Sequence, residues 1–253
     1  MIRRAILLPA LFLSIGAAAV FVAGRSAPDS PAPSAPPALA AAAPHPVVVE
    51  LFTAQGCSSC PPADAALDRF AQDPNVVAIS RPITYWDSLG WRDTLARPAN
   101  TALQRAYAAR RHSDEVYTPQ AVVQGDVALV GGRTGAIHRA IDEAAVRPAA
   151  GLRFESAAGG RVLALDGPAP RPAEIRLLAL RARVPVAIGR GENSGQTVDY
   201  VNVVVAEEVI GAWRGGPLRL PVPAARLRVP GADRYAIIVQ EPNAGPILAA
   251  GFL

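Results

Sequence analysis

Val47-Val48-Val49-Glu50-Leu51-Phe52-Thr53-Ala54-Gln55-Gly56-Cys57-Ser58-Ser59-Cys60-Pro61-Pro62-Ala63-Asp64 is the stretch that decides how this chain is read. It begins as an apolar, β-branched run suited to a buried strand. It ends by opening a helix-like segment over Ala63–Gln72, with Pro61 and Pro62 in the first turn, where backbone amides lack partners anyway. Between them stand Cys57 and Cys60, the only cysteines in 253 residues. A CxxC pair at a strand-to-helix junction suits thiol–disulfide exchange. The first thiolate is stabilised by the free amides and dipole of the helix N-terminus. The second cysteine lies within one turn and can release a mixed disulfide.

A structural disulfide and metal ligation are the alternatives. A four-residue loop stabilises little through closure entropy, which argues against a mere staple. For zinc, two cysteines without nearby histidines leave the tetrahedron incomplete. Copper delivery would need another soft ligand, yet His45, His112 and His138 are dispersed and Met1 is the only methionine. No resident metal or cofactor is expected.

Outward from this stretch, the elements alternate. Val76–Ser80 reads as a second buried strand. An aromatic loop follows, Tyr85-Trp86-Asp87-Ser88-Leu89-Gly90-Trp91, then a helix over Pro98–Arg111. Gln120–Gln124 and Val127–Val130 read as strands joined by a tight turn at Gly125-Asp126. Thr134 is placed to cap a third helix ending near Val146. After Pro148 helical periodicity disappears. Leu152–Phe154, Arg161–Leu165, Glu174–Ala182, Val184–Ile188, Thr197–Ile210, Leu218–Leu220 and Tyr235–Gln240 read as short strands of an antiparallel sheet or sandwich. Gly189-Arg190-Gly191-Glu192-Asn193-Ser194-Gly195 is either a plain hairpin loop or a loop reaching over the cysteines.

The expected organisation is therefore α/β. Residues 1–24 read as a signal peptide or N-terminal membrane anchor, with Arg3 and Arg4 ahead of a 19-residue apolar stretch, Ala5–Ala23. Residues 25–45 are a Pro/Ala-rich tether that cannot form a core. Residues 46–150 form the CxxC domain and 151–253 a β-rich domain. The folded part is expected in the periplasm or secreted, with inner-membrane anchoring as the alternative; a disulfide persists there. All 25 basic residues are arginine against 21 acidic ones. This excludes Schiff-base and lysine general-base chemistry. The arginines are scattered without an aromatic platform, so no nucleic-acid partner is expected. The glycine-rich segments lack the Lys-Ser/Thr of a phosphate loop, and no Ser/His/Asp hydrolase set stands out.

The order β-α-β-α-β-β-α, with CxxC after the first strand and Thr118-Pro119 before the third, resembles the thioredoxin fold over Pro46–Arg147. That resemblance implies that the Thr118–Pro119 bond is cis and faces the disulfide, and that Thr118 offers backbone groups to an extended substrate. It implies an acid on the first strand, and Glu50 is the candidate. Glu50 is either an edge carboxylate or a partly buried group that relays the proton of the resolving thiol. Loops at the carboxyl ends of strands share one edge of such a sheet. Tyr85, Trp86, Asp87 and Trp91 are therefore either walls of the substrate site or packing for their own loop.

A narrower resemblance covers nearly all of the chain after the tether. Glu50–Asp64, Tyr85-Trp86-Asp87 with Leu89-Gly90-Trp91, Gln104-Arg105-Ala106-Tyr107, Val116-Tyr117-Thr118-Pro119-Gln120, Gly189–Asn193 and Tyr200–Val204 are similar to the exported bacterial family DUF1223. The resemblance implies a thioredoxin-like fold and carries no established reaction. This chain departs from it at Arg81-Pro82-Ile83-Thr84, where the family often has a His and an Asp, so no role for those two carries over. The function expected is an exported thiol–disulfide oxidoreductase acting on protein or small thiol substrates. A copper-binding chaperone and a non-catalytic binding module with an inert disulfide are the alternatives.

Overall fold

The computed structural model describes residues 45–253. The signal or anchor expected over 1–24, and the tether apart from His45, lie outside the described residues. The first strand, β1 (Val47–Thr53), is buried at all seven positions. Alternation explains how. Val47, Val49 and Leu51 enter one apolar cluster with Ala63, Leu67 and Phe70, while Val48 and Phe52 point to the opposite face. α1 (Pro61–Phe70) starts on the two prolines and carries Ala63, Asp64, Ala66, Leu67 and Phe70 on its buried face.

β2 (Val76–Pro82) pairs parallel to β1, and α2 (Pro98–Arg110) follows the aromatic loop. β3 (Gln120–Val123) runs antiparallel to β1, β4 (Val127–Val130) antiparallel to β3, and α3 (Thr134–Ala145) closes the first half. Thr134 is the first helical residue, and no side chain caps this helix. Ile137 and Ile141 of α3 pack with α1 over the same face of the sheet.

The remaining strands are β5 (Gly151–Ala157), β6 (Gly160–Asp166), β7 (Ala173–Ala187), β8 (Thr197–Trp213), β9 (Leu218–Pro223), β10 (Arg234–Gln240) and β11 (Ile247–Phe252). The large sheet takes strands from both sides of residue 150. Eight strands share one sheet in the order β11-β10-β7-β8-β2-β1-β3-β4, with only β5-β6-β9 forming a separate three-stranded sheet. The join is the parallel pairing of β2 with β8 at Ser80 and Val203. Beside it Asn202 has φ 47° and donates from Nδ2 to the Ala78 carbonyl at 2.8 Å. Asn tolerates this left-handed backbone better than most residues.

The result is a mixed α/β architecture whose large sheet is mainly antiparallel, with few helices. The three-stranded sheet packs on it through Leu163, Leu165, Ile175, Leu177, Trp213, Val222 and Ile237. β7 continues through Pro185, where two strands had been expected. Beyond Leu180 only β8 pairs with it, so the proline sits on an edge that needs no donor. Among the described residues no helix is long and apolar enough to cross a membrane.

Candidate functional site

Cys57 and Cys60 are joined by a disulfide in the turn between β1 and α1, with their Cα atoms 5.4 Å apart. The Cys57 amide donates to the Ala54 carbonyl, and the Cys60 amide to the Cys57 carbonyl. Cys60 has helical dihedrals (φ −78°, ψ −41°) and stands as the N-cap of α1. Its carbonyl accepts from the amides of Ala63 and Asp64 at 2.8 and 3.0 Å. Both cysteines are buried, at 1% and 0% exposure, whereas Ser58 and Ser59 are exposed. The disulfide lies in an apolar cluster with Phe52, Ile83, Tyr107 and Val122, with Tyr85 and Trp86 against it.

The Thr118–Pro119 peptide bond is cis. Trp86 ties this segment to the cysteine turn, since its Nε1 donates to Thr118 Oγ1 at 2.8 Å while its side chain packs on Gly56. Gly131 is needed beside Pro119. A Cβ there would lie 2.8 Å from Pro119 Cβ and 3.2 Å from the Cβ of Ala63 in α1.

The other aromatic-loop residues hold the loop. Asp87 Oδ1 accepts from the Asp93 amide at 3.1 Å. Trp91 donates from Nε1 to Gln55 Oε1 at 2.8 Å. Tyr85 is half-buried, and burial raises its phenol pKa. Asp93 and Gln55, neither singled out in the sequence, complete this structure. The Asp93 carboxylate accepts from the amides of Gln55, Leu95 and Ala96, and burial pushes its pKa up against those bonds. Both stand in polar-looking segments, so only the contacts reveal their burial.

The loop 189–195 joins β7 to β8, and it also reaches the cysteine turn. Asn193 Nδ2 donates to the carbonyls of Gln55 and Cys57, each at 2.8 Å, from a buried position. Glu192 Oε2 accepts from the Ser58 amide at 3.0 Å. Hydrogen bonding from Ser58, hydroxyl and amide, lowers the Glu192 pKa. Gly189 and Gly191 of this loop leave room for the Trp91 side chain, whose ring a Cβ on Gly189 would meet at 3.1 Å.

Glu50 stands on β1 with both carboxylate oxygens engaged. It is fully buried, but Arg81 Nε donates to its Oε1 and Tyr107 Oη to its Oε2, both at 2.5 Å. Arg81 also donates to Glu207, which takes Arg176, which takes Glu174. Burial alone would lower the Arg81 pKa; Glu207 and Glu50 outweigh it and raise it. Burial, then the Glu50 carboxylate, raises the Tyr107 phenol. With Arg81 and Tyr107 on its two oxygens, Glu50 anchors a charge ladder across β1, β2, β8 and β7.

A different buried acid stands one helical turn after Cys60. Asp64, in the first turn of α1, is 2% exposed. Its Oδ2 accepts from Thr53 Oγ1 at 3.1 Å and its Oδ1 has no partner. Burial drives its pKa well above the ordinary carboxylate value; the Thr53 bond opposes this and Asp93 adds to it. The signal was present in the sequence, since Asp64 falls among Ala63, Ala66 and Leu67 on the apolar face of the helix. Among the described residues no three His, Cys, Asp or Glu side chains converge as a metal set. His138 packs edge-on against Phe70, and His45 bonds the Arg147 carbonyl.

The chain is similar over most of its length to protein AGR_C_4864 from Agrobacterium tumefaciens, a crystal structure with 29% sequence identity and a TM-score of 0.72. That likeness covers 82% of this chain and 93% of the other. HBP35 of Porphyromonas gingivalis, 14% identical, shares the fold with a TM-score of 0.51 over 83% of this chain and 75% of its own. No curated protein matches the chain. The family model of a protein of unknown function, DUF1223, matches residues 48–240. The chain belongs to the DUF1223 family.

Proposed function

We propose that this protein is a thiol–disulfide oxidoreductase with a thioredoxin-like arrangement of its first half, in which Cys57 exchanges and Cys60 resolves. The observation that carries the reading is the Cys57–Cys60 disulfide between β1 and α1, in a turn that Trp86 links to Thr118–Pro119. A substrate thiolate attacks Cys57 Sγ. The Cys57–Cys60 bond breaks, its electron pair stays on Cys60, and a mixed disulfide forms. A second substrate thiolate then attacks the substrate sulfur of that bond and releases the Cys57 thiolate and an oxidised substrate. Run backwards, the same steps reduce a substrate disulfide.

The N-terminal amides of α1 favour the thiolate state of the pair. Thr118 and Pro119 present backbone to an extended substrate, and Trp86 borders the approach with Tyr85. Asp87 and Trp91 serve this edge by shaping its loop. The substrate is a protein or small molecule bearing a thiol or disulfide, met outside the cytoplasm after export by the N-terminal segment. That segment either leaves the protein in the periplasm or secreted, or tethers it to the inner membrane.

The burial of both cysteines favours one second reading, a binding module whose disulfide is inert. Trapping separates the two. Under the oxidoreductase reading, Cys60→Ser accumulates mixed disulfides with partner proteins in cells and Cys57→Ser accumulates none. A Cys57→Ser protein that keeps the full cellular role, with no trapped species for either variant, supports the module instead.

A further inference from the structure

We infer that Asp64 is the proton carrier of the Cys57–Cys60 pair, giving a proton to Cys60 as the disulfide opens and taking it back as the disulfide closes. The inference rests on the exchange reaction proposed above. Cys60 is 0% exposed, so a thiolate formed on it has no bulk water to supply a proton and needs a neighbouring group. The helical dihedrals of Cys60 and the bond from the Asp64 amide to its carbonyl place the two residues one turn apart, at i and i+4 on one side of α1. Asp64 is itself buried, and its Oδ1 is the only carboxylate oxygen among the buried unpartnered side-chain atoms of the described residues.

The surroundings favour the neutral form of this carboxyl. Thr53 on β1 supplies its one hydrogen bond. The titratable groups that act on it are acids, Asp93 from the aromatic loop's continuation and Tyr200 from β8. Arg183 of β7, the arginine that reaches α1, is engaged by Asp68 and Asp199. Desolvation and the Asp93 charge both favour the protonated form. Glu50, another buried acid, has a cation and a phenol on its two oxygens.

In the oxidised protein the step balances as follows. A substrate thiolate bonds to Cys57 Sγ, the Cys57–Cys60 bond breaks, and its electron pair lands on Cys60 Sγ. Asp64 transfers its proton there and becomes a carboxylate. On reoxidation the carboxylate removes the Cys60 proton, the thiolate attacks Cys57 Sγ, and the substrate leaves with the electron pair as its thiolate.

The test follows the reaction of the oxidised protein with reduced glutathione across pH, in the wild type and in Asp64→Asn. The expected result is an opening rate, per glutathione thiolate, that falls about 10²-fold in the variant, within the usual range for a positioned acid. The wild-type profile declines as Asp64 ionises, and that inflection is absent from the variant. A second measurement needs no variant. The Asp64 carboxyl carbon, titrated by NMR in wild type, has a raised midpoint that differs between disulfide and dithiol forms, because a proton carrier must sense Cys60. Identical titrations in the two forms overturn the inference, as does an Asp64→Asn rate within threefold of wild type. Those results leave the exchange reading standing, because the wild type still reacts. A wild-type disulfide that glutathione does not open removes both.

Discussion

Asn193 donates a 2.8 Å hydrogen bond to the carbonyl of Cys57 from 136 residues further along the chain. The same amide nitrogen holds the Gln55 carbonyl at the same distance. One side chain of the second half therefore fixes the conformation of the turn that carries the disulfide. The loop can leave the turn only by giving up these bonds.

Asn193→Ala removes both bonds and leaves two buried carbonyls without this donor. Each such loss costs on the order of 1–3 kcal/mol. Urea denaturation is expected to show a loss of that size. Reduction of the disulfide by dithiothreitol is expected to speed up in the same variant, because the turn that carries it is loosened. A variant as stable as wild type and no more reducible would mean that the loop does not guard the turn.

Glu192 brings a negative charge to the Ser58 amide, one residue from Cys57. A nearby anion disfavours a thiolate. Glu192→Gln is therefore expected to lower the Cys57 thiol pKa in the reduced protein, read from the ultraviolet absorbance of the thiolate as pH rises. The lowered Glu192 pKa also fixes a sign for stability. Its contribution is present above the unfolded pKa, about 4.3, and is lost as pH falls through the folded value. The variant lacks that acid-side loss.

Arg81 neutralises two buried or part-buried carboxylates, Glu50 and Glu207. Removing one partner of a buried ion pair costs about 3–5 kcal/mol, because the other charge stays behind. Arg81→Met is expected to fall in that range by chemical denaturation. Adding Glu50→Gln to it is expected to restore part of the loss. A single variant within 1 kcal/mol of wild type would show that the ladder behaves as a surface pair.

The strand and helix around the cysteines were legible because their signals are local. The Val-Val-Val run and the Pro-Pro helix start decide β1 and α1 within 24 residues, from Val47 to Phe70. The continuous sheet was not, because the pairing of Ser80 with Val203 joins segments that carry no mark of each other. β11 went unseen because Ile247–Phe252 is rich in Ala and Gly, which have low strand propensity. Its place comes from pairing with β10. Pro185 suggested a break that an edge position removes. In the site, the cysteines follow from their spacing, and the cis Thr118–Pro119 bond from the resemblance to the thioredoxin fold. Gln55 and Asn193 follow from neither, since a polar side chain in a loop reveals its burial only through what covers it, whereas Asp64 is marked by its place on the apolar face of α1.

Asp64 gives the protein a second pH dependence, of opposite sign to that of Glu192. Its folded pKa is raised, so its contribution is fully present below the unfolded value of about 3.9 and is lost as pH rises through the folded value. Asp64→Asn carries no such loss. Its stability relative to wild type is expected to increase from pH 4 toward pH 8, measured by denaturation at a series of pH values. A constant difference across that range would mean that Asp64 ionises as readily folded as unfolded.

The reduction potential of the Cys57–Cys60 pair, measured by equilibration with glutathione, tests the central claim most directly. The account predicts a value between about −270 and −120 mV, the range of working exchange proteins. A value below about −300 mV, with a Cys57 thiol that does not react at neutral pH, would contradict it and leave the disulfide as a structural bond.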